Sequence, residues 1–245
     1  MLNLIPIKKA IIPASGKGTR WAPFTKAVPK ELVPIWDRPA IDYVVQEVLQ
    51  IAETVVIVTT PDKLNLLEAY FIEDPRVKFC IQETANGLGG AIMAARDYVK
   101  DVDRFIVALP DVILDSTTNL YWRKPNCIML RLTEVEQLCR YGVADVTDSE
   151  IIGCVEKPLR GAEPSHWSIV GRYTFDQKIF EALEHVALDA NGEIQLTPAI
   201  DMAIRDGGDP WSWSSPSGRV FDVGTPMGAY EAWNHFSLER LVAER

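Results

Sequence analysis

Glycines and basic side chains that could bind phosphate are concentrated in one stretch near the start of the chain. Gly16 and Gly18 follow the apolar residues 10–13 and carry no side chain that would keep an anion from the backbone N–H groups. Three basic side chains come shortly afterwards: Arg20, Lys26 and Lys30. Because these charges attract phosphate oxygens, the stretch predicts a strand that opens into a loop for a small polyanion.

Two common phosphate-binding motifs do not fit this loop. The dinucleotide-binding fingerprint needs a small residue three positions after its second glycine, where this chain has Trp21. The P-loop needs Gly-Lys followed by Ser or Thr, whereas Gly18 follows Lys17 here. The loop therefore indicates another class of phosphate site.

The composition restricts the classes of protein to consider. A chain of 245 residues with 47% hydrophobic and 24% charged residues is long enough for one α/β domain with a sizeable core. Its formal net charge of -9 disfavours a nucleic acid polymer as partner, and no stretch approaches the ~20 apolar residues of a membrane helix. We expect a cytoplasmic protein, since no signal peptide is visible and the four cysteines are widely spaced.

Strands and helices are predicted to alternate after the loop, as in a parallel sheet. Apolar residues at helical spacing predict a helix over residues 38–52, residues 54–58 form a β-branched run typical of a strand buried on both faces, residues 64–71 suit a helix, and residues 77–81 suit the next strand. Thr197 before Pro198, and Thr225, are predicted to cap two later helices. Ligands of open parallel sheets bind at the carboxyl ends of the strands. We therefore expect the glycine loop and residues 82–91 to lie on one rim.

Polar side chains follow three of the predicted strands. Gln82 offers both a donor and an acceptor, which suits the N3–H and a carbonyl of a pyrimidine. Asp111 ends the apolar strand predicted over residues 104–111, and Asp222 ends a strand that begins at Arg219. These strand ends would bring two carboxylates towards the basic loop.

The loop resembles the signature of the sugar nucleotidyltransferases, G-x-G-T-R followed by T-K-A-x-P-K-E-x-x-P, over residues 16–34. The spelling P-K-E-L-V-P at residues 29–34 is most like the bacterial UTP:glucose-1-phosphate uridylyltransferases. The resemblance implies a single Rossmann-like α/β domain over residues 1–245, with a mostly parallel mixed sheet flanked by helices. It also implies a nucleotide-binding half at residues 8–115 and a sugar-phosphate half with a C-terminal helix at residues 126–245.

The resemblance further implies a reaction and the residues that bind the nucleotide. Members of the family join a nucleoside triphosphate to a sugar 1-phosphate and release pyrophosphate. Arg20 and Lys30 would bind the triphosphate and act in catalysis, while Gln82 and Gly87, in the pattern Q-x-x-x-x-G-L-G, would contact the base. The complete implied nucleotide set is Ala14, Ser15, Gly16, Gly18, Thr19, Gln82 and Gly87.

Three later motifs, Y-G-V, V-E-K-P and I-V-G-R-Y, resemble the segments that line the sugar phosphate site in the family. Glu156 would accept hydrogen bonds from sugar hydroxyls, and Lys157 would pair with the 1-phosphate as a third catalytic residue. The complete implied sugar-phosphate set is Tyr141, Gly142, Glu156, Lys157, Val170 and Gly171.

The resemblance also assigns the cofactor. Asp111, in L-P-D-V-I-L-D, and Asp222, before Val-Gly-Thr, correspond to the family's Mg²⁺ ligands. Mg²⁺ binds few protein carboxylates beside a triphosphate, because it keeps several waters and takes phosphate oxygens as ligands. Asp115 is a competing candidate, although its place after the strand is more typical of a turn residue.

The substrates implied are UTP and glucose 1-phosphate, with UDP-glucose as product. Alternatives are dTTP or another hexose 1-phosphate as substrate, and a catalytically silent paralogue that binds sugar nucleotides as a regulatory subunit. The resemblance thins over residues 116–140, where relatives carry a longer segment with an extra helix and this chain passes through Tyr121-Trp122 and Lys124-Pro125. A homodimer and a homotetramer therefore both stay open.

Overall fold

The computed structural model describes residues 7–116, 126–207 and 209–243, and the Tyr121-Trp122 and Lys124-Pro125 pairs lie outside these ranges. The strands are β1 Lys9–Pro13, β2 Pro34–Ile35, β3 Arg38–Pro39, β4 Thr54–Thr59, β5 Val77–Ile81, β6 Arg104–Ala108, β7 Val112–Leu114, β8 Cys127–Leu132, β9 Gly142–Val146, β10 Ile151–Glu156, β11 Trp167–Asp176, β12 Ser212–Ser214 and β13 Val220–Asp222. The helices are α1 Ala40–Val48, α2 Pro61–Phe71, α3 Gly87–Ala94, α4 Arg96–Val99, α5 Val135–Leu138, α6 Ile179–His185, α7 Leu196–Arg205 and α8 Pro226–Ala243.

One mixed sheet forms the centre of the fold. Strands β6, β1, β4 and β5 lie side by side in that order and are all parallel, as the alternation of strands and helices predicts. Strand β11 runs antiparallel to β6 and joins this half to β9, β10, β8 and β12. The predicted α/β fold with a mixed sheet and flanking helices is confirmed.

Helices cover both faces of the parallel half, which explains its continuous apolar strands. Ile11 of β1 packs with Val56 in one core beneath α3, α6 and α7, while the next residue, Ile12, packs with Ile57 in a second core beneath α1 and α2. All four side chains are fully buried. This two-sided burial is what the β-branched run at residues 54–58 predicts.

A small layer beside the sheet carries the two aspartates of interest. Strands β7 and β13 pair antiparallel, with Asp222 opposite Val112, and pack with α1 and α8 in a third apolar cluster. Helix α8 begins at Pro226, and the Thr225 hydroxyl accepts a hydrogen bond from the Gly228 N–H at 3.2 Å. The predicted Thr225 cap is therefore confirmed.

Several predicted boundaries are wrong. The helix expected over residues 38–52 is only α1, because Arg38 and Pro39 pair with β2 instead. The strand predicted over residues 104–111 ends at Ala108, because Pro110 has no N–H to donate and the pairing with β11 stops after the Leu109 N–H donates to the Gly171 carbonyl. Thr197 does not cap α7 but lies inside its first turn, where its hydroxyl donates to Glu156.

No helix among the described residues combines the length and apolar character needed to cross a membrane. None of the four cysteines, Cys80, Cys127, Cys139 and Cys154, all of which are among the described residues, forms a disulfide bond.

Candidate active site

A cleft with two lobes lies where the parallel strands end. The first lobe, of ≈ 240 Å³, is lined by residues that follow β1, β5 and β6, which confirms that the glycine loop and residues 82–91 share one rim. The second lobe, of ≈ 260 Å³, lies on the side of β9, β10 and β11. Leu88, Leu109 and Asp111 line both lobes, so the lobes meet at the end of β6.

Most of the predicted site residues line this cleft, and they divide between the lobes as their two groups were, except that Arg20, predicted to bind the triphosphate, lines the second lobe. Those lining the first lobe are Ser15, Gly16, Lys30, Gln82, Gly87 and Asp111. Those lining the second lobe are Arg20, Asp111, Tyr141, Gly142, Glu156, Lys157, Val170 and Asp222. Four predicted residues, Ala14, Gly18, Thr19 and Gly171, line neither lobe.

The glycine loop is fixed by contacts that the sequence did not indicate. Gly18 has φ +65°, and a Cβ atom there would lie 2.9 Å from Thr25 Cγ2, so this position requires glycine. The Lys63 Nζ donates hydrogen bonds to the Ala14 carbonyl at 3.0 Å and to the Gly16 carbonyl at 2.5 Å. Lys63 therefore holds the backbone of the loop through two of its carbonyl groups.

Lys63 is paired with a buried carboxylate from the P-K-E motif. Both Glu31 oxygens lie 3.2 Å from Lys63 Nζ, and the Glu31 side chain is fully buried. Burial raises the pKa of Glu31, although the charges of Lys63 and Lys30 oppose that shift. The motif hinted at the importance of Glu31, whereas nothing in the sequence distinguishes Lys63 from other helix lysines.

Lys30 and Asp111 form a close ion pair at the junction of the lobes, with Lys30 Nζ 2.5 Å from Asp111 Oδ2. Burial lowers the pKa of Lys30, but the carboxylates of Asp111 and Glu31 outweigh it, so this pKa is raised. Burial raises the pKa of Asp111, but the Lys30 charge and hydrogen bond and the charge of Arg20 outweigh it, so this pKa is lowered. Each group therefore keeps the other charged.

Asp222 reaches the same space from the neighbouring layer. Its Oδ1 accepts a hydrogen bond from the Gly224 N–H at 3.1 Å, and Arg20 Nη1 and Arg140 Nη2 each lie 3.9 Å from its Oδ2. A Cβ atom on Gly224 would lie 2.8 Å from Asp111 Oδ2 and 3.0 Å from Asp222 Oδ1. The two carboxylates thus border one small volume that the absent side chain leaves open.

Asp115, the competing metal candidate, has a different environment. Its Oδ1 accepts the Arg219 N–H at 2.7 Å, and its Oδ2 lies 3.1 Å from His235 Nε2. It lines neither lobe of the cleft. These contacts match the turn role that its position predicts.

Gln82 is buried in the first lobe, and its side-chain oxygen is available to accept a hydrogen bond. Its Nε2 donates to Asn86 Oδ1 at 2.6 Å, and its Oε1 has no hydrogen-bond partner among the described residues. Gly87 has φ +94°, and a Cβ there would lie 2.7 Å from the Ile194 carbonyl. Because a buried unpaired acceptor is costly, the site is prepared for a ligand that carries a donor.

The second lobe contains a coupled set of polar groups. Glu156 accepts the Thr197 hydroxyl on Oε2 at 2.6 Å and pairs with Lys157 through Oε1 at 3.0 Å. Lys157 adopts φ 44°, and its N–H donates to the Tyr141 carbonyl at 3.0 Å. A Cβ on Gly142 would lie 2.7 Å from Thr197 Oγ1, so the first turn of α7 can approach only a glycine here.

Two further arginines of this lobe were missed by sequence reasoning. The guanidinium groups of Arg131 and Arg140 lie 5.2 Å and 5.7 Å from the centre of the Tyr141 ring, and both line the lobe. With Arg20 and Lys157, they surround Asp222 and Glu156 with positive charge. The lobe is therefore suited to an anionic ligand.

The side chains of the cleft suit one hard cation with few protein ligands better than a structural metal ion, which needs more. No group of three or more His, Cys, Asp or Glu side chains with metal-binding geometry occurs within residues 7–116, 126–207 and 209–243. The volume bordered by Asp111 and Asp222 supplies two carboxylates beside the basic loop. Such a donor set suits Mg²⁺, which completes its shell with water and phosphate oxygens.

Comparison with known proteins identifies the family. The sequence model described as nucleotidyl transferase matches residues 9–237. The UTP–glucose-1-phosphate uridylyltransferase of Bacillus subtilis strain 168 is 31% identical over 271 aligned positions, which cover 95% of this chain and 92% of that protein. The protein of that name from Escherichia coli K12 is also 31% identical, with 95% of this chain and 91% of that protein covered.

Solved structures agree with the sequence comparison. A UDP-glucose pyrophosphorylase complexed with UDP-glucose superposes with a TM-score of 0.87 and 29% identity, covering 95% of this chain and 99% of that chain. The UTP-bound enzyme from Acinetobacter baumannii gives a TM-score of 0.81 and 33% identity, with 95% and 94% covered. The chain described here therefore belongs to the nucleotidyl transferase family.

Proposed function

We propose that this protein transfers the uridylyl group of UTP to glucose 1-phosphate, giving UDP-glucose and pyrophosphate. The observation that carries this proposal is the position of Asp111, which lines both lobes at their junction. Two substrates that react with each other must meet at one point, and a charged group there can act on both. The relatives named for this activity support the same reaction.

The first lobe suits the nucleotide. The spare Oε1 of Gln82 can accept a hydrogen bond from the N3–H of uracil, and Gly87, which lines the same lobe, would contact the base. Ser15 and Gly16 would present N–H groups to the phosphates, with Lys30 beside them. Ala14, Gly18 and Thr19 would act through the loop backbone that they form.

The second lobe suits the sugar phosphate. Glu156 would accept hydrogen bonds from glucose hydroxyls, and the Lys157 ammonium would bind the 1-phosphate. Tyr141, Gly142 and Val170 would shape the wall against the ring. Gly171 has φ +81° and lies against Leu109, where a Cβ would be 2.6 Å from Leu109 Cδ1, so its role would be indirect.

The cofactor in this proposal is Mg²⁺, held by Asp111 and Asp222. When bound, it would supply charge neutralisation and align phosphate oxygens from the two substrates. The carboxylate oxygens bordering the volume beside Gly224 support this assignment.

The transfer needs no protein nucleophile and no general base. A phosphate oxygen of glucose 1-phosphate is already anionic at neutral pH, and it attacks the α-phosphorus of UTP as the bond to the β-phosphate oxygen breaks. The electron pair of that bond leaves with pyrophosphate. Arg20 and Lys30 would stabilise the leaving group, and Lys157 would hold the attacking phosphate in line.

We also propose a cytoplasmic location, which is supported by four cysteines that form no disulfide bond, since disulfides are rare in reducing compartments. A homodimer and a homotetramer are the two assemblies to test, and light scattering distinguishes them by molar mass.

A substrate grid tests the proposed reaction. Pyrophosphate release is measured with Mg²⁺ while UTP, dTTP, CTP, ATP and GTP are crossed with the 1-phosphates of glucose, galactose, mannose and N-acetylglucosamine. We expect strong turnover with UTP and glucose 1-phosphate. Preference for another pair would overturn the assigned substrates but keep the chemistry, and no turnover with UDP-glucose still bound would indicate the silent paralogue.

Replacing the base-binding side chain should change which nucleotide is accepted. We expect Gln82→Leu to raise the KM for UTP about 30-fold, because roughly 2 kcal/mol of hydrogen bonding to uracil is lost. Discrimination against CTP should fall in parallel, since cytosine has no N3–H to donate. An equal loss with UTP and CTP in steady-state assays would contradict the assignment.

Removing the lysine of the second lobe should affect one substrate only. We expect Lys157→Met to lower kcat/KM for glucose 1-phosphate about 100-fold, because one charge-assisted contact to its phosphate is lost. The KM for UTP should stay near its original value. Arg160→Met is a suitable control, since Arg160 is an exposed residue paired with the surface carboxylate of Glu136 at 3.6 Å.

A further inference from the structure

We propose that Arg172, together with Glu47, is a positioning residue that fixes Asp111 and Asp222 relative to each other. This inference rests on the proposed function, in which both aspartates hold the metal ion. It concerns a pair on α1 and β11 that lines neither lobe and that the reaction described above does not use.

The pair is buried at the centre of the fold. Arg172 is fully inaccessible, and its Nε and Nη2 donate to the two Glu47 oxygens at 2.9 Å and 2.7 Å. Such a two-pronged contact fixes the plane of the guanidinium as well as its position. Its remaining N–H groups are therefore aimed in defined directions.

Those remaining donors bind the turn that carries Asp111. Arg172 Nη2 donates to the Val112 carbonyl at 2.7 Å, and Nη1 donates to the Leu109 carbonyl at 3.3 Å. One rigid group thus binds the backbone on both sides of Asp111. Within the turn itself, Pro110 has no N–H to donate, and the Val112 N–H reaches the Leu109 carbonyl only at 3.5 Å.

The same turn is coupled to Asp222. The Val223 N–H donates to the Asp111 carbonyl at 2.8 Å, and Asp222 lies opposite Val112 in the pairing of β13 with β7. A shift of the turn held by Arg172 would therefore change the separation of the two carboxylates. Metal affinity is sensitive to such shifts, because the ligands must keep their separation and direction.

A purely structural role predicts a different outcome. Replacing a buried ion pair by apolar residues of similar volume is often neutral or stabilising, so an ion pair that serves only the core can be replaced without loss. Arg172, however, donates to the Val112 carbonyl at 2.7 Å and to the Leu109 carbonyl at 3.3 Å, and the Leu109 carbonyl otherwise accepts only the long bond from Val112 among the bonds of this turn. Metal affinity therefore separates a positioning role from a structural one.

The test replaces both charges and measures metal binding directly. In the double variant Arg172→Met with Glu47→Leu, we expect Mn²⁺ affinity in the presence of UTP, followed by electron paramagnetic resonance, to fall about tenfold. Turnover should fall with it, while UTP binding without metal stays unchanged. Original Mn²⁺ affinity in a folded double variant would overturn the proposal.

Gln177→Met is the matched control. The Gln177 Nε2 donates to the Val99 and Val102 carbonyls at 2.8 Å each, so it also holds two backbone carbonyls of one turn, but away from the cleft. We expect this variant to lose thermal stability and keep the original Mn²⁺ affinity. A comparable loss of metal affinity in Gln177→Met would mean that the effect of Arg172 is only general loosening.

If the double variant does not fold, a milder variant can still test whether Arg172 positions the two aspartates. Arg172→Lys keeps a positive charge beside Glu47, but a single ammonium cannot hold the planar contact and both carbonyls. We expect severalfold weaker Mn²⁺ binding in a folded protein, and unchanged binding would overturn the proposal. Lack of Mn²⁺ binding by the unsubstituted protein would overturn the metal site itself, and this inference with it.

Discussion

Asp222→Asn is expected to lower turnover about 10³-fold, or roughly 4 kcal/mol, with little change in stability. The substitution removes one of two proposed metal ligands but keeps an oxygen that can accept the Gly224 N–H. Its ion contacts with Arg20 and Arg140 are long, at 3.9 Å each, and lie at the surface of the cleft, so little stability depends on them. Pyrophosphate release and thermal unfolding measure the two effects, and Mn²⁺ affinity should fall with turnover.

Asp115→Asn is the matched control, because it changes a carboxylate at the end of β7, the strand that pairs with β13. Its contacts with the Arg219 N–H and His235 are structural, so we expect a stability loss of about 1 to 2 kcal/mol and nearly unchanged turnover. If Asp115→Asn lost turnover and Asp222→Asn did not, the metal assignment would be reversed.

Lys30→Met should also lower turnover about 10³-fold, because the leaving pyrophosphate loses a buried charge. Unlike Asp222→Asn, it should not weaken metal binding. Lys30 holds Asp111 Oδ2 at 2.5 Å, and without it that oxygen is free for the cation. We therefore expect Mn²⁺ affinity equal to or higher than in the original protein, combined with loss of catalysis.

The two readouts are measured on the same samples as Mn²⁺ titration and single-turnover rate. Lys30→Arg serves as a second variant that keeps the charge but displaces it, and we expect it to recover only part of the rate. A Lys30→Met protein that loses both metal binding and stability would show that Lys30 acts by holding Asp111 in place.

Local patterns in the sequence predicted those parts of the site that are formed by residues close together in the chain. The β-branched run at residues 54–58 and the polar residues Gln82 and Asp111 after strands led to the rim of a parallel sheet, because strand ends meet there whatever the details of packing. The glycine loop was predictable because glycines are needed where a ligand approaches the backbone closely. The resemblance then divided these residues between two substrates.

Contacts between residues far apart in the chain were not predictable in this way. Arg172 and Glu47 are separated by 125 positions. The apolar residues of β11 and α1 already account for the burial of these two elements, so nothing in the sequence indicates that a charged pair lies between them. Lys63 looks like an ordinary helix lysine until the fold brings it beneath the glycine loop. Thr197 followed by Pro198 resembles the start of a helix. In the structure, however, the Thr197 hydroxyl donates a hydrogen bond to Glu156 at the end of β10 and does not cap the helix.

The ion pairs of the cleft affect how stable the protein is in the cell when no divalent cation is bound. Lys30 balances Asp111, and Arg20 and Arg140 lie near Asp222, so the carboxylates do not repel one another when no cation is bound. We therefore expect folding not to require the metal, unlike folding around a structural zinc ion, where chelation unfolds the chain. Changes in the supply of divalent cation should alter how fast the protein works without exposing it to degradation.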